Sequence, residues 1–235
     1  MKINNDIAEL VGITIGDGCL STKNEYVVAG DINEEKDYYD EWVGKLLNQN
    51  VTIPLINQKV TPKSYPKVGV YGFYLFNKKI TNFFKSLGLK EGSKINVKIP
   101  ENLLKNKVKI KRVLRGIFDT DGSLYFDKMN KYAKFNTNPV IALGSTSKIL
   151  INQIYNLLIS LNFSPIKKKP YLGKRDKNPM YRIALYRKNE IFRWINEIGF
   201  KNPKHITKWK IYLKYGYYLP KTTIAQRKLI LSKGL

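Results

Sequence analysis

Two acidic residues, Asp17 and Asp121, occupy the same place in two similar segments of the sequence. Residues 10–18 read LVGITIGDG and residues 114–122 read LRGIFDTDG, so the segments agree at Leu, Gly, Ile, Asp and Gly. Two carboxylates held close together in a strongly basic protein suit a hard divalent cation such as Mg²⁺. Because metal ions that bridge carboxylates and a scissile phosphate hydrolyse phosphodiesters, the pair indicates metal-assisted phosphodiester chemistry.

The residues before the two carboxylates predict how they are brought together. Each segment carries small residues four apart on one face of a predicted helix, and small side chains allow two helix backbones to approach closely. Two such helices packed side by side would place the carboxylates at one end of the pair. The small residues are Gly12, Gly16, Gly116 and Thr120.

The ends of these helices also have sequence signals. Asp6 and Glu9 have the spacing of a capping box, which predicts that the first helix begins near Asp6. The Asp-Gly pairs predict that Gly18 and Gly122 end the helices in the left-handed conformation that glycine favours.

The two segments belong to a longer internal repeat. Residues 80–90 (ITNFFKSLGLK) parallel residues 191–201 (IFRWINEIGFK), in the same order as the first pair. Matching segments in a preserved order indicate two copies of one structural unit. We expect the first unit to span 1–105 and the second 106–235, with a C-terminal helical extension.

Hydrophobic periodicity predicts helix, two strands, helix, two strands and helix in each copy. After the motif helices, strands are expected at 25–30, 68–76, 123–127, 140–144 and 181–186. Helices are expected at 38–47, 83–87, 149–161 and 192–198, with further helices at 206–218 and 221–235.

The charge of the chain is high and lies mostly in its second half. The protein has 42 Lys and Arg residues against 18 Asp and Glu residues, a formal net charge of +24, and residues 106–235 account for +22 of it. Such a chain attracts polyanions through counterion release. DNA, RNA and an anionic membrane surface are the candidate partners. The membrane is disfavoured because the basic residues form neither one polybasic tail nor one amphipathic helix.

Several classes of protein are excluded by composition. A single His and a single Cys rule out a zinc finger, so any metal ion must be bound by oxygen atoms. Cys19 has no internal disulfide partner, which favours a reducing, intracellular compartment. The N-terminal residues lack the basic-then-apolar layout of a secretory signal, so we do not expect secretion. No run approaches the roughly 20 apolar residues of a membrane span.

The paired segments resemble the two LAGLIDADG motifs of a monomeric LAGLIDADG homing endonuclease. The similarity covers nearly the whole chain and includes residues 144–148 (GSTSK) and 199–204 (GFKNPK). It implies an α+β fold of two pseudo-symmetric αββαββα units, whose antiparallel sheets form a saddle over DNA and whose motif helices pack at the interface. It also implies site-specific cleavage of both DNA strands across the minor groove, with 3′ overhangs.

The resemblance assigns roles to particular residues. It implies that Asp17 and Asp121 bind the metal ion together with their neighbours Gly16 and Thr120. Mg²⁺ is the expected cofactor, Mn²⁺ is expected to substitute, and Ca²⁺ is expected to support binding without cleavage. The preceding acid of the motif is present as Asp119 but replaced by Ile15 in the first copy, which weakens any role for Asp119.

The resemblance also implies a basic residue close to each scissile phosphate. Lys94 and Lys204 are the best matches as catalytic residues, and Lys90 and Lys201 are the alternatives. His205 is the sole histidine. We interpret it as a surface or helix-start residue rather than a catalytic one.

The strands are expected to read the DNA. A period of two places Arg182, Ala184, Tyr186 and Lys188 on one face of the last strand, and Lys67, Gly69, Tyr71 and Phe73 on the equivalent face of the first copy. The loops 128–138 and 167–177 are basic and are expected to contact phosphates. The candidate DNA-binding residues are Lys67, Tyr71, Ser123, Tyr125, Lys128, Lys131, Lys134, Lys167, Lys174, Arg175, Arg182, Tyr186 and Lys188.

Two other functions remain open at this point. The same basic surface could bind intron RNA, as in a splicing maturase, or bind DNA as a regulator without cutting it. Neither needs the acidic pair, and both acids are present.

The charge difference between the copies predicts a long, non-palindromic double-stranded DNA target. An intein is disfavoured because the chain begins with Met1 and does not end in His-Asn.

Overall fold

The computed structural model describes residues 3–234 and contains two similar halves, each with a four-stranded antiparallel sheet. The predicted order of helix, two strands, helix, two strands and helix is confirmed in both. None of the helices within 3–234 is long and apolar enough to cross a membrane. The first half contains α1 (Asn5–Gly16), β1 (Gly18–Ser21), β2 (Glu25–Asp31), α2 (32–56), β3 (Lys63–Tyr65), β4 (Val70–Phe76) and α3 (Lys78–Ser86). The second contains α4 (Lys107–Thr120), β5 (Gly122–Lys128), β6 (Asn136–Ser145), α5 (Lys148–Ser160), β7 (Ile166–Tyr171), β8 (Met180–Leu185) and α6 (Lys188–Glu197), followed by α7 (Pro203–Tyr215) and α8 (Ile224–Lys233).

The two sheets have the same strand order, β1-β2-β4-β3 and β5-β6-β8-β7. One face of each sheet is apolar and packs on helices: Val28 lies opposite Phe73 in the first sheet, and Leu143 lies opposite Ile183 in the second, all four buried. Because side chains alternate along a strand, the residues between them face away from these helices. We call this second face the open face of each sheet.

The motif helices α1 and α4 pack side by side, as their small residues predict. A Cβ atom added to Gly12 would lie 2.2 Å from the main-chain oxygen of Val113, and one added to Gly116 would lie 2.4 Å from that of Glu9. The two backbones therefore touch at these glycines, and both helices end at the same level.

The helix ends differ from the sequence prediction. The Asn4 side chain caps α1 by accepting from the Ile7 amide at 2.8 Å, so the Asp6–Glu9 capping box is wrong. Gly18 and Gly122 are not left-handed; they open β1 and β5. Glycine is needed at Gly18 because a Cβ atom there would lie 2.6 Å from the main-chain oxygen of Thr14.

Helix α2 is longer than the predicted 38–47, and three strands, β1, β3 and β7, lie outside the predicted strand ranges. The Asp31 side chain starts α2 by accepting from the Asn33 and Glu34 amides at 2.7 and 3.0 Å. The helix contains two π-helical stretches, Tyr38–Val43 and Asn48–Thr52, and ends at Asn57, which is left-handed with a φ of 51°. Strands β3 and β7 are exposed edge strands without apolar alternation, so they gave no hydrophobic signal.

The C-terminal helices connect the second half back to the first. Arg227 on α8 is 1% exposed; its Nε donates to the Thr207 hydroxyl at 2.9 Å, and its guanidinium pairs with Glu34 on α2. Lys228 pairs with Asp37 on the same helix. The extension thus fixes α2 against α7.

Candidate functional site

Asp17 and Asp121 each follow directly on a motif helix, and the packing of α1 on α4 brings them together. Burial, followed by the negative charges of Glu35 and Asp121, raises the pKa of Asp17 to about 7, while Lys204 and a 2.8 Å hydrogen bond from the Tyr39 hydroxyl act in the opposite direction. Desolvation by the surrounding protein atoms also raises the pKa of Asp121, against the charges of Lys94 and Lys204. The two helices therefore end in a cluster of negative charge, in which Asp17 is half-buried and Asp121 reaches the surface.

A lysine lies at the end of each motif helix. The Nζ atom of Lys204 donates to the main-chain oxygen of Thr120 at 2.7 Å, and Lys94 donates to the main-chain oxygen of Gly16. Gly16 and Thr120 occupy equivalent positions, so these contacts relate the two lysines by the internal symmetry.

The alternative lysines lie elsewhere. The Nζ atom of Lys201 lies 4.5 Å from the centroid of the Trp42 ring, and Lys90 is exposed. Of the basic residues singled out by sequence, Lys94 and Lys204 are therefore the two that reach the ends of the motif helices.

The oxygen atoms at the helix ends fit a divalent cation. Two carboxylates, of Asp17 and Asp121, and two main-chain carbonyls, of Gly16 and Thr120, converge there, and oxygen ligands of this kind suit Mg²⁺. The carbonyls already attract ammonium groups. Residues 3–234 hold no group of three His, Cys, Asp or Glu side chains arranged for a metal ion, so the remaining ligands would be water and phosphate.

Asp119 has a structural role that sequence reasoning missed. Its fully buried carboxylate accepts from the Lys201 amide at 3.0 Å and the Asn202 amide at 3.1 Å, and thereby holds the loop that leads to Lys204. Burial raises the pKa of Asp119 to about 8, against these backbone hydrogen bonds. The sequence indicates this role through the position of Asp119, an acidic residue within the apolar part of the motif helix.

His205 lies in the first turn of α7, so the expectation of a helix-start residue is confirmed and that of a surface residue is wrong. It is 1% exposed, its Nδ1 accepts from the Leu124 amide at 3.3 Å, and its ring lies 4.5 Å from that of Phe200. Burial, with the charges of Lys204 and Lys208, lowers the pKa of His205 well below its usual range.

The open face of the second sheet carries polar and basic side chains. Ser123, Tyr125, Arg182 and Tyr186 line one groove, as their spacing predicts, and Lys168 lines it as well. The Nζ atom of Lys168 lies 4.6 Å from the Tyr186 ring. Lys168 was missed because β7 was interpreted as a loop.

Lys167 is wrongly assigned to the DNA-facing surface. It pairs with Ile183, which is buried against the helices, and its Nζ donates to the Asn152 side chain on α5 at 2.8 Å. Since side chains alternate, Lys168 faces the groove and Lys167 faces the opposite side.

The prediction for the first sheet is out of phase by one residue. Tyr71 is buried and donates its hydroxyl hydrogen bond to Asp40 on α2, and Phe73 is fully buried, so both face the helices. The open face of β4 instead carries Tyr74 and Phe76. Lys67 is exposed, but it lies in the turn Pro66–Val68 before the strand.

The remaining basic candidates lie at the edges of the second sheet. Lys188 is the first residue of α6 rather than a strand residue, with its Nζ 5.7 Å from the Tyr212 ring. The others are exposed at the end of β5, in the loop 129–135 and in the loop 172–179; they are Lys128, Lys131, Lys134, Lys174 and Arg175.

The chain is similar to known proteins in part of its sequence and in its whole fold. Residues 109–199 match the family model of a LAGLIDADG-like domain. The structure of I-DmoI in complex with DNA and Ca is similar over 84% of this chain and 91% of that chain, with 14% identity and a TM-score of 0.58. No curated protein sequence matches the chain.

Two further solved structures share the fold. The homing endonuclease I-WcaI bound to its DNA recognition sequence matches 84% of this chain and 82% of its own, at 16% identity and a TM-score of 0.52. The LAGLIDADG homing endonuclease I-GzeII in complex with its DNA target matches 99% and 94%, at 11% identity and a TM-score of 0.52. Residues 109–199 therefore resemble a LAGLIDADG-like domain, and the chain as a whole has the fold of the LAGLIDADG homing endonucleases.

Proposed function

We propose that this protein is a divalent-metal-dependent endonuclease that cuts both strands of a specific double-stranded DNA site. The observation that carries the proposal is the pairing of Asp17 with Asp121 at the ends of α1 and α4, with Lys94 and Lys204 on the carbonyls beside them. Two equivalent half-sites of this kind suit two strands that run in opposite directions.

One set of residues would bind the metal ion, and a second set would stabilise the negative charge of the phosphate. Asp17 and Asp121, with the carbonyls of Gly16 and Thr120, would hold Mg²⁺, which when bound supplies an activated water and stabilises the leaving oxygen. The ammonium groups of Lys94 and Lys204 would stabilise negative charge on the phosphate as it is attacked, because a main-chain carbonyl holds each of them at the end of a motif helix.

The identity of the metal ion is part of the proposal. We propose that Mg²⁺ supports cleavage, that Mn²⁺ replaces it, and that Ca²⁺ supports binding alone. Solved structures of I-DmoI in complex with DNA and Ca and in complex with DNA and Mn support the use of divalent ions by a protein of this fold.

The target is proposed to be long and non-palindromic, and to be bound by one protein monomer. Its two halves would meet different surfaces, since the open face of the second sheet carries Lys168 and Arg182 whereas that of the first carries Tyr74 and Phe76. The second half would supply most of the phosphate contacts because most of the positive charge lies there.

The test begins with selection of bound sequences from a partly randomised duplex library in Ca²⁺, followed by exchange into Mg²⁺ and sequencing of the ends. We expect one cut position on each strand. The Asp17→Asn and Asp121→Asn variants should bind the same duplex without cutting it. A selected duplex that wild-type protein leaves intact in Mg²⁺ would indicate a DNA-binding regulator, and selection of no duplex would indicate an RNA ligand.

A further inference from the structure

The two lysines at the helix ends are held differently. Besides its contact with Thr120, the Nζ of Lys204 forms an ion pair at 2.7 Å with Glu35, whose side chain is 6% exposed. Glu35 comes from α2, in the other half of the protein. Within residues 3–234 no carboxylate lies within ion-pair distance of Lys94, which is held by the neutral carbonyl of Gly16.

The position related to Glu35 by the internal symmetry is apolar. Asp31 caps α2 and Ser147 caps α5, and the residues four positions later are Glu35 and Ile151. Helix α5 packs across the interface as α2 does, since the Ser147 hydroxyl donates to the main-chain oxygen of Val97 at 2.7 Å, close to Lys94. Ile151 is buried and has no group with which to pair a lysine.

Other polar supports of Lys204 are missing from the first half-site as well. The side-chain amide of Asn202 donates to Glu35 Oε1 and to the Asp119 carbonyl, both at 2.8 Å, and the Asn202 side chain accepts from the Lys204 amide at 3.0 Å. Counting back from Lys94, the equivalent of Asn202 is Gly92, which has no side chain. Lys204 is thus restrained by a buried polar network and Lys94 is not.

We propose that Glu35 is a positioning residue that restrains Lys204 and makes the two half-sites cut their DNA strands at different rates. This inference rests on the proposed endonuclease function. To act on a phosphate, the Lys204 ammonium must leave a buried carboxylate, and separating a buried ion pair is costly. Lys94 leaves a neutral carbonyl. The strand that depends on Lys94 is therefore cut first, and a nicked duplex accumulates.

The test uses the selected duplex with a different fluorescent label on each strand, and single-turnover cleavage in Mg²⁺. The Lys94→Met and Lys204→Met variants identify the strand that depends on each lysine. Glu35→Gln removes the charge and keeps the size of the side chain. We expect it, at saturating Mg²⁺ and about pH 8.5, where Asp17 is ionised in both proteins, to speed cleavage of the Lys204 strand about fivefold, equivalent to about 1 kcal/mol, and to change the other strand less than about twofold.

The matched control is Glu34→Gln, one residue earlier on the same helix, because Glu34 pairs with Arg227 rather than with a lysine at the helix ends. It should leave the ratio of the two strand rates unchanged. Both rates come from the same molecules, so their ratio does not depend on the folded fraction of a variant.

The inference is overturned if Glu35→Gln changes both strands by the same factor, slows the Lys204 strand, or has no effect, or if Glu34→Gln shifts the ratio equally. These outcomes leave the proposed function intact, since they require that wild-type protein cuts DNA. A wild-type protein that binds the duplex but cuts neither strand would instead contradict the proposed function.

Discussion

The carboxylate of Glu9 on α1 is bound by the guanidinium of Arg115 on α4, across the pair of motif helices. Glu9 is fully buried; its Oε1 accepts from Arg115 Nε at 2.9 Å and from Trp42 Nε1 at 2.7 Å, and its Oε2 accepts from Arg112 at 3.2 Å. The interface that brings Asp17 and Asp121 together, the carboxylates proposed to bind the metal ion, therefore depends on a buried charge as well as on small residues.

The Glu9→Gln variant should be strongly destabilised. It leaves the Arg115 guanidinium in the interface without a countercharge, and breaking a buried ion pair by removing one partner costs about 3–5 kcal/mol. Urea unfolding of the wild-type and variant proteins measures this difference. Glu197→Gln is the control, because Glu197 pairs with Lys111 at the surface and such pairs contribute at most about 1 kcal/mol. Equal losses in the two variants would show that the Glu9 pair is no stronger than a surface pair.

The Gly12→Ala variant should lose cleavage activity more than DNA binding. Its Cβ atom would lie 2.2 Å from the main-chain oxygen of Val113, so α1 and α4 must move apart and the carboxylates with them. A displacement of about 1 Å in a catalytic site can reduce the rate about 100-fold. Gly44→Ala on α2 is the control, since its nearest neighbour would lie 3.1 Å away. A Gly12→Ala protein that cuts at the wild-type rate would contradict this role of the glycine.

Local patterns predicted the elements well where apolar and polar residues alternate, and failed where they do not. In β8 the alternation is visible, so Arg182 was placed correctly on the open face. Strand β4 reads VYGFYLF, which is apolar at nearly every position. Pairing with β2, in which Phe73 lies opposite Val28, decides which side chains of β4 face the helices. This pairing joins distant parts of the chain, so the local sequence of β4 does not reveal it.

The candidate site was predictable only where its residues belong to the repeated segments. The repeated segments contain Asp17 and Asp121 at equivalent positions, so their proximity follows from the pairing of two helices. Glu35 contacts Asn202, 167 residues later in the chain, and neither belongs to a repeated motif. The contact between Glu35 and Asn202, which occurs in only one of the two half-sites, could therefore be found only from the three-dimensional structure.

Metal-dependent cleavage should increase with pH through about 7. Burial and the charges of Glu35 and Asp121 raise the pKa of Asp17 to about 7, so below that pH a metal ion must displace a proton in order to bind. Single-turnover rates at limiting Mg²⁺, measured between about pH 6 and pH 9, should rise and then level off. A rate independent of pH over this range would show that Asp17 is already ionised.

The same shift has a consequence for stability. The folded-state pKa of Asp17 lies above the usual 3.8, so the folded protein retains a proton that the unfolded chain loses, and this contribution to stability falls as the pH rises from about 4 to 7. Asp17→Asn should therefore gain stability relative to wild type across that window. Asp37→Asn, whose carboxylate pairs with Lys228 at the surface, should not show the same gain.

DNA binding should weaken with salt, and two adjacent lysines should contribute differently. Each phosphate contact contributes about −0.9 to the slope of log K against log salt concentration. Lys168→Gln should reduce the magnitude of the slope by about this amount if its ammonium, which faces the groove of the second sheet, contacts a phosphate. Lys167→Gln is the matched control, because its ammonium is bound by Asn152 on the helix side, and it should leave the slope unchanged. Equal reductions in both variants, measured by fluorescence anisotropy with the selected duplex in Ca²⁺, would show that this groove is not the surface that meets the DNA backbone.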